Sequence, residues 1–144
     1  MIVLDTMVLV YATGKDHPLK DPCRRLVEAI GAGRARATTT PETIQEFVHV
    51  RSRRRPRREA ASIGRSYADV LAPLLIVDGS TLTDGLALFE RSKKLGAFDA
   101  ILAAATITVQ AEALVSADRA FDEVRGLRRW DPAGTELARF LSAD

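Results

Sequence analysis

Short apolar runs alternate with longer amphipathic stretches along this chain, and that alternation restricts its fold more than any other feature. Ile2 to Leu4 is a β-branched run that reads as a buried strand closing on Asp5. Ala35 to Thr39, Leu74 to Val77, Ala113 to Ser116 and Arg128 to Trp130 have the same strand character. Between them lie helical stretches. Thr6 to Ala12 predicts a short helix or turn, and Pro18 to Ile30 a helix stopped by Gly31 and Gly33. Thr40-Pro41 opens another, with Thr as cap and Pro at the first position. Further helices are expected over Glu59 to Leu71, Thr81 to Lys94, Phe98 to Ala111 and Thr135 to Leu141, with a helical turn over Ala120 to Val124. In the alanine-rich one, Phe98, Ile101, Leu102 and Ala105 are expected to face the core.

Strands that alternate with helices predict a mainly parallel α/β sheet of four to five strands with helices on both faces. At 144 residues, with 47% apolar and 28% charged residues, the chain is expected to form a single domain over residues 1–144. No run approaches the roughly 20 apolar residues that span a bilayer. The start, Met1-Ile2-Val3-Leu4-Asp5, has no basic lead-in to a signal peptide, so a cytoplasmic protein with no membrane partner is expected. Cys23 is alone, which excludes an internal disulfide and a cysteine-built zinc site. His17 and His49 lack zinc-helix spacing; they read as a loop residue and a polar-face residue. Cys23 reads as a small packed side chain, and Trp130 and the phenylalanines as core.

In parallel α/β folds, ligands collect at the carboxyl ends of the strands. Asp5 ends the first strand, Asp118 follows the strand closing near Ser116, and Asp99 lies in the first turn of the helix feeding that strand. Each has an ordinary alternative: Asp5 as a helix cap, Asp99 as a dipole-favoured first-turn acid, Asp118 as a turn residue. Their convergence on one sheet edge argues for chemistry. Carboxylates gathered in one cleft repel each other, and a hard divalent cation removes that cost. Oxygen ligands without His or Cys select Mg²⁺, or Mn²⁺, over zinc. Glu42 and Glu46 share a face of the helix behind Thr40-Pro41, so either could reach the metal.

Other aspartate chemistries fail on spacing. A haloacid-dehalogenase phosphatase needs a second Asp two residues after the first, where this chain has Met7. A phospho-receiver domain needs paired acids after its first strand, and Asp5 has no acidic neighbour. Gly31-Ala32-Gly33 follows a helix rather than a strand, so it is a helix stop and not a phosphate loop.

Four segments, in order, resemble the PIN-domain nucleases and, within them, the VapC toxins of bacterial toxin–antitoxin pairs. They are Ile2-Val3-Leu4-Asp5-Thr6, Ile44-Gln45-Glu46-Phe47, Gly96-Ala97-Phe98-Asp99-Ala100 and Ser116-Ala117-Asp118-Arg119-Ala120-Phe121. The resemblance covers essentially the whole chain and implies a three-layer α/β/α PIN fold. It selects Glu46 over Glu42 as the fourth acid beside Asp5, Asp99 and Asp118, and leaves Glu42 as a dipole-favoured first-turn residue. It gives Thr6 and Ser116 the role of hydroxyls that steady the aspartates and metal-bound water; Asp122, four residues after Asp118, is an extra ligand candidate ranked below the other four. The activity it implies is Mg²⁺-dependent endoribonucleolytic hydrolysis of RNA by an activated water, leaving a 5′-phosphate and a 3′-hydroxyl. The partners it implies are a VapB antitoxin and a second copy of the chain. An RNA-processing PIN nuclease outside the toxins and a non-catalytic PIN-like binding module are the rival readings.

The net charge of +2 hides a bias toward arginine: 17 of 21 basic residues are Arg, and Arg51, Arg53, Arg54, Arg55, Arg57 and Arg58 form one cluster. The guanidinium fork suits phosphate, so these six are candidates for gripping an RNA backbone. A solvated helix end is the competing reading of the same cluster.

Overall fold

The computed structural model describes residues 1–142. Four strands form one sheet: β1 (Ile2–Leu4), β2 (Ala37–Thr38), β3 (Leu114–Val115) and β4 (Arg129–Trp130). Their order is β2-β1-β3-β4, and every neighbouring pair is parallel. The helices are α1 (Thr6–Thr13), α2 (Lys20–Gly31), α3 (Pro41–Ser52), α4 (Arg57–Val70), α5 (Gly79–Arg91), α6 (Ala97–Thr108) and α7 (Thr135–Ser142). A 3-10 turn, Arg119–Glu123, follows β3.

Strand alternation divides the core in two. Ile2 and Leu4 point to one face and pack with Val8, Leu9, Leu26, Phe47 and Tyr67 from α1 to α4. Val3 points to the other face and packs with Ala100, Leu102 and Ala103 of α6 and with Phe121. Both faces are therefore covered, which is why β1 is apolar at every position. Ile2, Val3 and Leu4 are completely buried, each contributing about 1.5–3 kcal/mol of burial free energy. This is the expected three-layer α/β/α sandwich. Among the described residues no helix is long and apolar enough to cross a membrane.

Local signals place the helices. The Thr40 hydroxyl accepts from the Thr43 N–H at 3.2 Å and Pro41 occupies the first turn of α3, as its sequence predicts. Helix α2 ends through Gly33, whose φ of 72° lets its N–H reach Ile30 O while Arg34 N–H reaches Ala29 O. Cys23 is fully buried, and His17 and His49 lie at the surface.

Three expectations fail. Leu74 to Val77 is not a strand: it makes one backbone bond to the β2 side, Leu75 N–H to Thr39 O at 2.9 Å, and Ile76 is 84% exposed. Pro73, just ahead of this run, has no N–H to give to a ladder; its carbonyl instead accepts from the Thr38 hydroxyl. The sheet therefore has four strands. Phe98, expected in the core, is 73% exposed, and Phe89 is also exposed; Phe47 and Phe121 are buried as expected. Helix α6 is buried along Ala100 and Leu102 to Thr106 instead, because small alanines let it lie close against the sheet.

Candidate active site

The strand order creates the site. The chain passes from β1 to β2 on one side, then returns across to β3 on the other, so a crevice opens where β1 and β3 end side by side. Leu4 pairs with Val115, which sets Asp5 beside Ser116. The Ser116 hydroxyl donates to Asp5 Oδ2 at 2.7 Å, and the Asp118 N–H donates to Ser116 Oγ at 3.0 Å. One buried serine thus links the two strand-end aspartates. The Asp5 side chain makes no capping bond to α1, so its ordinary reading as a helix cap does not account for it. Asp118 does cap the following 3-10 turn, accepting from the Ala120 N–H on Oδ1 at 2.8 Å.

Helices supply the other two acids. Glu46, one turn into α3, accepts on Oε2 from the Thr6 hydroxyl at 2.6 Å. Asp99 sits in the first turn of α6. Thr6, Glu46 and Asp99 border a cleft of about 350 Å³ together with Thr43, Phe98 and Ile101, whereas Asp5 and Asp118 do not line it. Glu42 also borders the cleft from the first turn of α3.

Burial and neighbouring charge shift two of these acids. Burial pushes Asp99 up to about 7, with the nearby charges of Asp5, Asp118 and Glu46 adding to the effect in that order. Burial also raises Asp5; the Ser116 hydroxyl and Thr6 N–H oppose this, and Glu46 and Asp118 reinforce it. Among the described residues no basic side chain contributes to either shift. Four acids therefore share one electrostatic environment with no protein cation to neutralise them. Yet among the described residues no three acidic, His or Cys side chains draw close enough to clasp an ion outright. The chemistry of the donor set, carboxylate oxygens without His or Cys, is the kind Mg²⁺ takes, an ion that keeps several of its waters and needs few direct protein ligands.

Two expected site residues are engaged in ion pairs. Asp122 pairs with Arg129, Nε to Oδ1 at 2.7 Å, and this contact holds its carboxyl below the usual carboxylate range. Its partner comes from β4, so no local spacing could reveal the pairing. Arg51 is largely buried: Nη2 meets Glu59 at 2.7 Å and Nη1 donates to Thr13 O at 3.2 Å, so it ties α3 to α4 and α1. Arg53, Arg54, Arg55, Arg57 and Arg58 are exposed. Sequence reasoning missed Thr39, whose hydroxyl donates to Leu4 O at 2.7 Å and holds the end of β1 against β2. The run Thr38-Thr39-Thr40 at the close of a strand was the available signal.

A PIN-domain model matches residues 2–127. The chain belongs to the PIN-domain family. Within that family it is 53% identical over 128 residues to Ribonuclease VapC7 of Mycobacterium tuberculosis, covering 86% of each chain. It is 33% identical over 135 residues to Ribonuclease VapC13 of the same organism, covering 90% of this chain and 98% of that one. It therefore stands among the VapC proteins. Two solved structures share the fold at low identity. One is VapBC2 from Rickettsia felis bound to a DNA fragment from their promoter, with TM-score 0.69, 20% identity and coverage of 91% and 98%. The other is a toxin–antitoxin complex from Klebsiella pneumoniae, with TM-score 0.66, 15% identity and coverage of 93% and 99%. The PIN fold explains the strand-end placement of Asp5 and Asp118 across the β1–β3 crevice.

Proposed function

We propose that this PIN domain, spanning residues 1–144, is a Mg²⁺-dependent endoribonuclease and the toxin of a toxin–antitoxin pair. The observation that carries the reading is the cluster of Asp5, Glu46, Asp99 and Asp118, four acids from four parts of the fold, with no basic side chain among the described residues shifting Asp5 or Asp99. A binding module that cuts nothing gains nothing from such repulsion, whereas a site that takes a divalent cation requires it.

Asp5, Asp99, Asp118 and Glu46 are the residues that would hold Mg²⁺, with Mn²⁺ as a substitute, directly or through water. Bound there, the ion supplies an activated water and charge neutralisation for phosphodiester hydrolysis. Ser116 fixes the rotamer of Asp5 and, through the Asp118 N–H, the loop that carries Asp118. Thr6 fixes Glu46 in the same way. Arg53, Arg54, Arg55, Arg57 and Arg58 place exposed positive charge for the RNA backbone. The partner is a VapB-type antitoxin, in keeping with the toxin–antitoxin complexes of the structural relatives, and the toxin is proposed to work as a homodimer.

The test is RNA cleavage in Mg²⁺ by wild type and by Asp5→Asn and Asp99→Asn variants whose fold is checked by circular dichroism. Both variants should lose cleavage by at least about 100-fold, the scale on which removing an essential charge stabiliser acts. Folded variants that cut as fast as wild type would refute the reading.

A further inference from the structure

A second groove lies along α1 and α3 and is bordered by the loops that follow them. The Thr6 hydroxyl meets Glu46 toward one end of this helix pair, and Arg51 grips the Thr13 carbonyl toward the other. The two helices therefore lie side by side for about 10 Å, seven residues at about 1.5 Å each. Met7, Val10 and Tyr11 form one wall and Phe47, Val50 and Arg54 the other, around a volume of about 900 Å³.

The Arg51 end has two features that a mere gap between helices would lack. The rings of Tyr11 and His17 are stacked, with centroids 4.2 Å apart and planes 14° from parallel. His17 Nδ1 also accepts from the Leu19 N–H at 3.1 Å, so the exposed imidazole is held in one orientation. Near these rings, Lys15, Arg53, Arg54 and Arg55 border the groove, and among the described residues none of the four forms an ion pair. The acid at this end, Asp16, is paired with Lys20. Fixed aromatic faces beside unpaired cations are what single-stranded nucleic acid uses: bases stack on the rings and phosphates meet the arginines. An acidic peptide would use the cations but not the presented ring face.

We infer that the α1–α3 groove is a seat for single-stranded RNA, in which a base stacks on the His17–Tyr11 pair and the backbone lies on Arg53, Arg54 and Arg55. The inference rests on the ribonuclease reading and specifies where the strand lies beyond the cut. It selects unpaired RNA, because a base inside a duplex has no free face to offer the ring.

The test measures binding of a short fluorescein-labelled single-stranded RNA, and of the same sequence as a duplex, by anisotropy across a salt series. The protein is the full chain carrying Asp99→Asn, so that RNA stays intact. Adding His17→Ala should weaken single-strand binding about 5- to 10-fold. It should leave the salt slope and duplex binding unchanged, and His17→Phe should restore affinity. Adding Arg53→Gln, Arg54→Gln and Arg55→Gln together should flatten the log–log salt slope by about two. All four residues are exposed, and thermal melts verify that the variants fold. If the parent binds RNA and wild type cuts it, but neither change moves affinity or slope, the groove assignment is overturned and the ribonuclease stands. If the arginine changes abolish capture of an acidic antitoxin peptide and leave RNA binding intact, the groove seats a protein and the inference is again overturned. If wild type neither binds nor cuts RNA, the ribonuclease reading itself falls.

Discussion

At the scale of single residues, the site depends on hydroxyls as much as on carboxylates. Ser116 is fully buried and serves both strand-end aspartates. Ser116→Ala would leave the Asp118 N–H without its acceptor and Asp5 without its donor, costing about 1–3 kcal/mol. RNA cleavage should fall about 10- to 100-fold while metal affinity weakens, as is typical when a ligand loses its supporting bond. Kinetics and a denaturation curve together check this; unchanged cleavage would remove Ser116 from the machinery. Asp99 gives a second expectation. Its value in the fold is about 7 against an ordinary 3.8, so between these pH values the folded chain keeps a proton that the unfolded chain has released. Stability of metal-free protein must therefore fall as pH rises through that window, and level off above about 7. In EDTA, the melting temperature of wild type should drop from pH 5 to pH 8 relative to that of Asp99→Asn; parallel profiles would contradict the shift. Asp5, Asp99 and Asp118 were legible in the sequence because a strand end and a helix first turn are local signals. The engagement of Arg51 and Asp122 was not legible, because Glu59 with Thr13, and Arg129, meet them only through tertiary structure.

At the scale of elements, close packing and helix ends decide how well the parts hold. Helix α5 crosses α6 at Gly85, where an added Cβ would lie 2.8 Å from Ile101 Cα. Backbone cannot yield as a side chain can, so Gly85→Ala should push α5 off α6 and cost about 1–3 kcal/mol. Asp99 rides on α6, so the same variant should also lower cleavage. Helices α2 and α6 end in the same motif, with Gly33 and Gln110 in the left-handed position at φ 72° and 51°. Gln110 N–H bonds Ile107 O and Ala111 N–H bonds Thr106 O, matching the bonds around Gly33. A side chain there is strained, so Gln110→Gly should stabilise by about 0.5–1 kcal/mol and Gly33→Ala should destabilise by about 1 kcal/mol. Urea midpoints moving in these opposite directions at constant slope would check both. Such ends were readable in part: Gly31 and Gly33 announced the stop of α2, but nothing local marks Gln110. The expected strand at Leu74 to Val77 failed for a related reason. Apolar β-branched composition describes burial, while pairing needs a partner edge and backbone donors, and Pro73 removes one at its start.

At the scale of the whole molecule, the acid cluster joins both layers of the sandwich. Asp5 follows β1, Glu46 lies on α3 against one core, Asp99 lies on α6 against the other, and Asp118 follows β3. These residues are distant in sequence, so the unfolded chain has no counterpart of the site. An ion that binds there binds the folded state alone, and its binding free energy appears in full as folding stability. At a Mg²⁺ concentration about 100 times its dissociation constant, wild type should gain about 2.7 kcal/mol. The gain should be larger at pH 8 than at pH 5, because at pH 5 the ion must first displace the proton that Asp99 holds, its value in the fold being about 7. Asp5→Asn and Asp99→Asn should each lose most of the gain, whereas Arg54→Gln, far from the acids at the end of the α1–α3 groove, should keep it. Thermal melts over a Mg²⁺ series at the two pH values measure this without any RNA. If Mg²⁺ stabilised wild type and Asp99→Asn equally, the ion would be binding elsewhere on the surface, and the carboxylates would need another reason to stand together.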